Sequence, residues 1–148
     1  MNEQVSADKM NEQALTKKLR TRDIQPTAMR LLVLKFLVDQ KAAVSLNLLE
    51  THFTRSDRTT LYRTLKTFEE KGLVHRIDDA GDSTKYALCP PDCTCSYPND
   101  THLHFFCTDC ENTFCFTDLS IPKFEIPDQF VPKKGNFVIS GHCPSCAA

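Results

Sequence analysis

Eight cysteines are the first chemically distinctive feature of this 148-residue chain, and all of them lie at or beyond position 89. Four of them form two Cys-x-x-Cys pairs, Cys107/Cys110 and Cys143/Cys146, which are separated by 32 residues. Each pair can present two thiolates to one tetrahedral ion, so the spacing predicts a four-cysteine zinc site. Four protein ligands leave no position for water, and we therefore expect a structural and not a catalytic zinc.

Two histidines, His102 and His104, directly precede the first pair. Residues spaced by two point to the same face of a strand, so both imidazoles can serve one site. Cysteine and histidine together are typical zinc ligands, and four cysteines remain beyond the two pairs. A lone histidine is usually only a surface or core residue, but this pair beside surplus cysteines is a better candidate for metal ligands.

The charge of the chain is unevenly divided, although its net value is −1. Residues 1–88 carry 15 Lys/Arg and 12 Asp/Glu, whereas residues 89–148 carry 3 and 7. The Cys89-Pro90-Pro91 segment is a natural joint between a basic half and a cysteine-rich, acidic half. No apolar run is long enough to span a bilayer and the N-terminus is polar, so we expect a cytoplasmic protein without a membrane partner, whose thiols stay reduced.

The basic half contains three predicted helices that must position any nucleic-acid contacts. Thr27–Asp39 is the first, the second is short and begins at the cap Ser45, and Arg58–Lys71 is the third, with Asp57 as its cap and Gly72 as its stop. The apolar spacing of the first helix predicts a buried stripe made of Met29, Leu32, Val33, Phe36 and Leu37.

A predicted hairpin, Leu73–Ile77 and Thr84–Leu88, follows the third helix. Three helices and a hairpin form a winged helix-turn-helix, whose third helix enters the DNA major groove. A solvated charged face is the plainer interpretation of that helix, but 13 Lys/Arg against 6 Asp/Glu over residues 15–76 favour a polyanion partner. The predicted DNA-binding residues are Arg58, Thr59, Thr60, Tyr62, Arg63 and Lys66.

The cysteine-rich half is expected to form a small sheet from Leu103–Cys107, Thr113–Phe116 and Asn136–Ser140. Exposed strand edges suggest pairing between two copies of the chain, hence a homodimer. Pro122, Pro127 and Pro132 argue against a continuous helix between the last two strands. The overall prediction is an α+β protein, with a winged-helix DNA-binding domain at 1–88, of which 1–14 are disordered or frayed, a hinge at 89–101, and a small α/β zinc-stapled dimerisation domain at 102–148.

The order of these motifs resembles the ferric uptake regulator family of metal-responsive transcription repressors. The matching residues are Pro26-Thr27-x-x-Arg30, Thr60-Leu-Tyr62-Arg63-Thr64-Leu65, Gly72-Leu-Val, Tyr86, His102-x-His104-x-x-Cys107-x-x-Cys110 and Gly141-x-Cys143-x-x-Cys146. The resemblance implies a winged-helix domain, a hinge, and a dimerisation domain with a structural four-cysteine zinc and a separate sensing site. The motifs do not combine into a catalytic site with a nucleophile, a base and a pocket, so we do not expect an enzyme.

The sensing site departs from the pattern of the family's iron and peroxide sensors. Their histidine and acidic ligands would fall near Ala43, Ala87 and Cys115, and a later histidine near Gly135. Zinc-sensing members look more similar, because they place a histidine or acid at the start of the wing and a cysteine after it, here His75 and Cys89.

The resemblance thus implies a nitrogen and sulfur sensing site that favours zinc over iron(II). Its expected ligands are His75, Cys89 and His102, with His104 or Cys115 as the fourth, and Cys93 or Cys95 could replace Cys89. We expect one structural and one regulatory zinc per chain, and a double-stranded operator as partner. Two alternatives remain: a DNA-binding member of the family that has lost or altered sensing, and a cysteine-based redox protein.

Overall fold

The computed structural model describes residues 12–78, 81, 83–89, 102–116, 118–119, 121–133 and 135–147. The predicted hinge residues 90–101, with Cys93 and Cys95, lie outside the described residues. Within the described N-terminal half, the elements in chain order are α1 (Glu12–Thr21), α2 (Ala28–Asp39), β1 (Val44–Ser45), α3 (Leu46–His52), α4 (Arg58–Glu70), β2 (Val74–Ile77) and β3 (Lys85–Leu88).

Side-chain caps begin the three helices α2, α3 and α4. Ser45 and Asp57 were predicted as caps, whereas Thr27 was predicted only as the first residue of its helix. The Thr27 hydroxyl accepts a hydrogen bond from the Arg30 backbone N–H at 3.3 Å, and the Arg30 guanidinium donates to the Gln25 carbonyl at 2.8 Å. Ser45 accepts from Leu48 in the same way at 3.1 Å. These bonds satisfy N–H groups that the first turn of a helix leaves without a partner, so the side chains determine where each helix starts.

Helix α1 was not predicted from the sequence, which suggested disorder or fraying up to residue 14. Its apolar residues Leu15 and Leu19 are one helical turn apart and both are buried against the other helices. The signal was weak because every other residue but Ala14 in α1 is polar or charged. Packing against α2 supplies the stability that propensity alone does not give so short a helix.

The core of the N-terminal half corrects the predicted stripe of α2. Val33 and Leu37 are buried as expected, but Leu32 is 51% exposed and Leu34 is fully buried in its place. Apolar residues occupy most of the circumference of α2, so the sequence period did not specify one face. The predicted stripe of α4 is confirmed, since Leu61, Leu65 and Phe68 are fully buried.

The wing is a three-stranded antiparallel sheet in the order β1-β3-β2. Gly72 adopts a left-handed backbone with φ 73° between α4 and β2, which a residue with a side chain would resist. The strand pair β2 and β3 matches the predicted hairpin to within one residue at each end, and the two-residue strand β1 was missed because it is too short for a periodic signal.

The C-terminal half is built on a second three-stranded sheet. Its elements are β4 (Leu103–Cys107), β5 (Thr113–Phe116), β6 (Phe137–Gly141) and the short α5 (Pro144–Ala147). Strand β4 is central, antiparallel to β5 and parallel to β6. In the described part of the connection from β5 to β6, residues 118–119, 121–133 and 135–136 form no helix, as the prolines predicted.

Among the residues that the structure describes, no helix has the length and apolar character that a membrane crossing requires.

Candidate metal centres

The four-cysteine cluster lies at one end of the C-terminal sheet. Cys107 ends β4, Cys110 follows in the turn, Cys143 comes just after β6, and Cys146 lies in α5. The four Sγ atoms are all within 4.8 Å of one another, and those of Cys110 and Cys143 are 3.9 Å apart. Zn–S bonds of about 2.3 Å in a tetrahedron place two sulfurs about 3.8 Å apart, so the thiols fit a zinc ion.

Backbone N–H groups polarise this cluster. The N–H groups of Cys110 and Cys143 point at the Cys107 sulfur and lower the pKa of its thiol to about 6. Hydrogen bonds with the thiols of Cys143 and Cys107 raise the pKa of Cys146 to about 12. The backbone therefore favours a thiolate at Cys107, and a metal ligand must give up its thiol proton on binding.

A second cluster lies where the two halves meet, and we refer to His75, His104 and Cys115 as the interface cluster. His75 is on β2 in the wing, while His104 and Cys115 are paired with each other across β4 and β5. One donor atom from each lies within 4.8 Å of the others. The Nε2 atoms of His75 and His104 are 3.3 Å apart, close to the roughly 3.3 Å expected for two nitrogens on one tetrahedral zinc.

The other two predicted sensing residues also surround His75, in different positions. The Cys89 Sγ lies 3.4 Å from Nδ1 of His75, on the opposite side of the ring from His104. The ring centroid of His102 is 5.6 Å from that of His75. All five predicted residues therefore converge, but the structure brings His75, His104 and Cys115 closest together, whereas the sequence put Cys89 and His102 first.

The environment of Cys115 is apolar. Burial raises the pKa of its thiol to about 11, because a thiolate there would lose its hydration. At neutral pH the metal-free thiol is protonated, and a metal ligand must lose that proton. A thiol with a raised pKa is also a poor nucleophile and a poor target for oxidants.

The six predicted DNA-binding residues are all exposed on α4. Tyr62 is 45% exposed, and the Lys66 ammonium lies 5.9 Å from the centroid of its ring. Arg58 is different, since its guanidinium is bound to Glu50 and Asn47 of α3. That contact joins the two helices of the helix-turn-helix motif.

The two halves are joined by polar contacts that sequence reasoning missed. Ala43 donates its backbone N–H to the Thr113 carbonyl at 2.8 Å, and Asn136 donates its side-chain amide to the Asp78 carbonyl at 2.5 Å. The Lys85 ammonium donates to the Glu111 carbonyl and, at 2.9 Å, to the Thr113 hydroxyl. Lys85 stands at a position of β3 that alternation alone assigns equally well to solvent.

Comparison with known proteins gives a consistent result. A family model described as the ferric uptake regulator family matches residues 22–142. A ferric uptake regulation protein from Synechococcus elongatus is 32% identical over 94 residues, which cover 60% of this chain and 58% of that relative, so the match spans less than two thirds of its length.

Two solved structures share the fold. A zinc uptake regulator complexed with zinc and DNA has a TM-score of 0.64 at 23% identity, covering 94% of this chain and 97% of that one. The Vibrio cholerae ferric uptake regulator has a TM-score of 0.58 at 19% identity, covering 86% and 98%.

Proposed function

This chain belongs to the ferric uptake regulator family, and we propose that it is a zinc-responsive repressor of transcription that binds operator DNA as a homodimer in the cytoplasm. The observation that carries this proposal is the interface cluster, in which His75 from the wing meets His104 and Cys115 from the C-terminal sheet. Donors from both halves around one point are what a metal needs in order to link the DNA-binding half to the rest of the molecule.

The donor set favours zinc as the sensed ion. Two imidazoles and a thiol are borderline to soft ligands, which suit zinc, whereas iron(II) and manganese(II) sites usually include carboxylates. Among the residues that the structure describes, no Asp or Glu belongs to the interface cluster. Cys89 or His102 would complete a tetrahedral set, and Cys89 can instead orient His75 by its contact with Nδ1.

The proposed regulation follows from the position of the interface cluster between the two halves of the chain. When bound, zinc supplies a dication that holds its ligands at fixed separations. His75 then keeps the wing, and with it α4, in one orientation relative to the C-terminal sheet that carries His104 and Cys115. Because a two-fold operator presents its half-sites at a set spacing, the protein whose wing is held by zinc in this one orientation binds DNA more tightly than protein whose wing also samples other orientations.

The surface of α4 supports the DNA-binding part of the proposal. Tyr62, Arg63 and Lys66 are exposed together on one face of a capped helix, opposite the buried stripe. Tyr62 can contact a thymine methyl group, and the cations can reach phosphates or guanine edges. Arg58 holds α4 against α3 through Glu50 in the free protein, so we assign it a positioning role first.

The C-terminal sheet offers a surface for a second copy of the chain. The face directed away from the wing carries Phe105, Phe116 and Ile139, of which the last two are 40% and 52% exposed. An apolar sheet face of this kind is typical of a homodimer interface. The four-cysteine site would hold this sheet together with a structural zinc, which makes two zinc ions per chain in all.

The thiol redox alternative has little support in the described residues. Cys107 has a lowered pKa, but its side chain is fully buried, and a reactive thiol must be reached by its substrate. Cys115 has a raised pKa. Within the described part of the C-terminal half, no thioredoxin-like β-α-β unit surrounds either Cys-x-x-Cys pair.

The proposal is tested by titrating zinc into protein that holds only the four-cysteine metal, while operator binding is measured by fluorescence anisotropy. We expect operator affinity to rise at least about tenfold as a second equivalent binds, a coupling of about 1.4 kcal/mol. His75→Ala should abolish the response and keep one zinc per chain. Arg63→Ala should bind both zinc ions and lose operator affinity.

Equal operator affinity with one and with two zinc ions per chain would rule out metal-linked repression. That result would leave a constitutive DNA-binding member of the family as the better description. A protein that binds no zinc at all would instead favour the redox alternative.

A further inference from the structure

A buried lysine occupies the boundary between the two halves, close to the interface cluster. Lys85 is only 7% exposed, although its side chain carries a charge that normally stays in water. Its ammonium group points out of the wing and into the C-terminal half. A buried lysine ammonium needs hydrogen-bond acceptors to replace the water that it has lost.

Three contacts of the ammonium reach the C-terminal half. It donates to the Glu111 carbonyl and to the hydroxyl of Thr113, and it lies 4.7 Å from the centroid of the Phe106 ring. Thr113 is fully buried, and its own carbonyl accepts the backbone N–H of Ala43 from the N-terminal half. Lys85 therefore anchors the wing to the start of β5 by charge-assisted hydrogen bonds and a cation–π contact.

The strand registers place this anchor on the same two sheet faces as the metal donors. On β4 and β5, Phe106 pairs with Thr113 and His104 pairs with Cys115, so the anchor and the donors are neighbouring pairs two residues apart.

In the wing, Lys85 pairs with Ile77 and Ala87 pairs with His75, again two residues apart. The two sheet faces thus meet at two polar points, the Lys85 anchor and the interface cluster, separated by about 7 Å along the strands.

We propose that Lys85 is a positioning residue for the metal site, an inference that rests on the proposed function. By fixing Thr113 and Phe106 against the wing, it holds His75 near His104 and Cys115 before any metal arrives. A site that already has its binding geometry binds its ligand more tightly than one that must first be assembled. The apparent Kd is inversely proportional to the fraction of the protein in which the site has that geometry. Lys85 thereby sets the zinc concentration at which the repressor responds.

The experiment measures zinc affinity at the interface cluster by competition with a fluorescent zinc chelator, in full-length Lys85→Met protein. We expect the apparent Kd for this zinc to rise about 10- to 100-fold, the range for loss of hydrogen bonds to a charged group. Four-cysteine zinc should stay at one per chain. Operator affinity at saturating zinc should equal that of the wild type, because excess zinc restores the same geometry.

Matched variants separate positioning from folding. Thr113→Val removes the acceptor hydroxyl with little change in shape and should also weaken zinc binding, whereas Thr113→Ser keeps the hydroxyl and should not. Lys71→Met removes an exposed lysine of the same half, which pairs with Asp23, and should leave zinc affinity unchanged. If Lys85→Met fails to fold, the Thr113 pair gives the answer.

Unchanged or tighter zinc binding by Lys85→Met and Thr113→Val would overturn the proposal, and tighter binding would show that the ammonium repels the metal instead. Operator affinity that stays low at saturating zinc would also overturn it, since Lys85 would then act on the DNA or on the fold. Failure of the proposed function is visible separately, because the wild type itself would show no second zinc or no zinc-dependent operator binding.

Discussion

Cys115 is the residue that most distinguishes the interface cluster from the pattern of the family's iron and peroxide sensors. An acidic residue is expected at this position in those sensors, and a thiol replaces it here. Burial keeps the Cys115 thiol protonated in the metal-free protein by raising its pKa to about 11. In the proposed site, a ligand of this kind would favour ions with a strong preference for sulfur, so Cys115 would contribute selectivity as well as affinity.

Cys115→Asp should therefore shift the metal preference of the site. A carboxylate is a harder donor, so we expect the ratio of zinc to manganese(II) affinity to fall at least about tenfold. Competition titrations with each metal would measure that ratio, and the zinc content of the four-cysteine site serves as the internal control. An unchanged ratio would mean that Cys115 is only an apolar wall of the site.

Helix α4, the proposed recognition helix, depends on local interactions at both of its ends. Asp57 accepts the Thr60 backbone N–H at 2.6 Å at its start, and Gly72 allows the chain to turn away at its end. The hydrogen bond from that backbone N–H, followed by the one from the Thr60 side chain, lowers the pKa of the Asp57 carboxyl group. The folded protein therefore stabilises the ionised carboxylate of Asp57 relative to the unfolded chain.

Asp57→Ala should lower the Tm of the protein at neutral pH, and Asp57→Asn should lower it less, because asparagine still accepts the capping bond. Because the pKa of Asp57 is lower in the folded protein, its charge stabilises the fold at pH values above the unfolded pKa of about 3.9. This stabilisation is lost as the pH falls through the pKa of the folded protein. Thermal unfolding from pH 7 downwards would measure the gap between wild type and Asp57→Asn. A gap that widens towards acid pH would contradict the assignment.

The segment between β5 and β6 shows a different balance of local and tertiary forces. Pro122, Pro127 and Pro132 prevent a continuous helix there, and its apolar residues Phe130 and Val131 are 67% and 83% exposed. Phe124 is also 53% exposed, although its ring stacks on Phe137 of β6 at a centroid distance of 5.8 Å. The exposed apolar side chains add to the surface that a second copy of the chain could cover.

At the scale of the whole molecule, the C-terminal sheet uses its two faces for two purposes. The face with His104, Phe106, Thr113 and Cys115 contacts the wing and carries the metal donors. The opposite face presents apolar side chains, and Gly141 leaves the space that the Phe105 ring occupies, 3.0 Å from where a Cβ would be. One sheet layer therefore separates the proposed dimer surface from the wing.

Ile139→Asp tests the dimer surface. Burying an unpaired carboxylate in an apolar contact costs on the order of 3 kcal/mol, so we expect the dimer Kd to rise about 100-fold or more. Sedimentation equilibrium would measure it, with Leu32→Asp as control, because Leu32 is equally exposed but lies on the N-terminal half. A dimer of wild-type stability in Ile139→Asp would place the interface elsewhere.

The sequence alone was sufficient for features that depend on nearby residues. The two Cys-x-x-Cys pairs, the caps Ser45 and Asp57, and the ends of β4 and β5 are specified by spacings of a few residues, where chain geometry leaves few alternatives. The motifs also carried the resemblance to the family, which the comparison with known proteins confirms.

Only the tertiary structure decided which distant side chains meet. It buried Leu34 and exposed Leu32, stabilised α1 through Leu15 and Leu19, brought His104 and Cys115 closest to His75, and turned Lys85 into a contact between the halves. Each of these outcomes depends on how two separately formed surfaces pack against each other. Periodicity restricts a side chain to one face of its own element, but the partner of that face is chosen by the packing of the whole molecule.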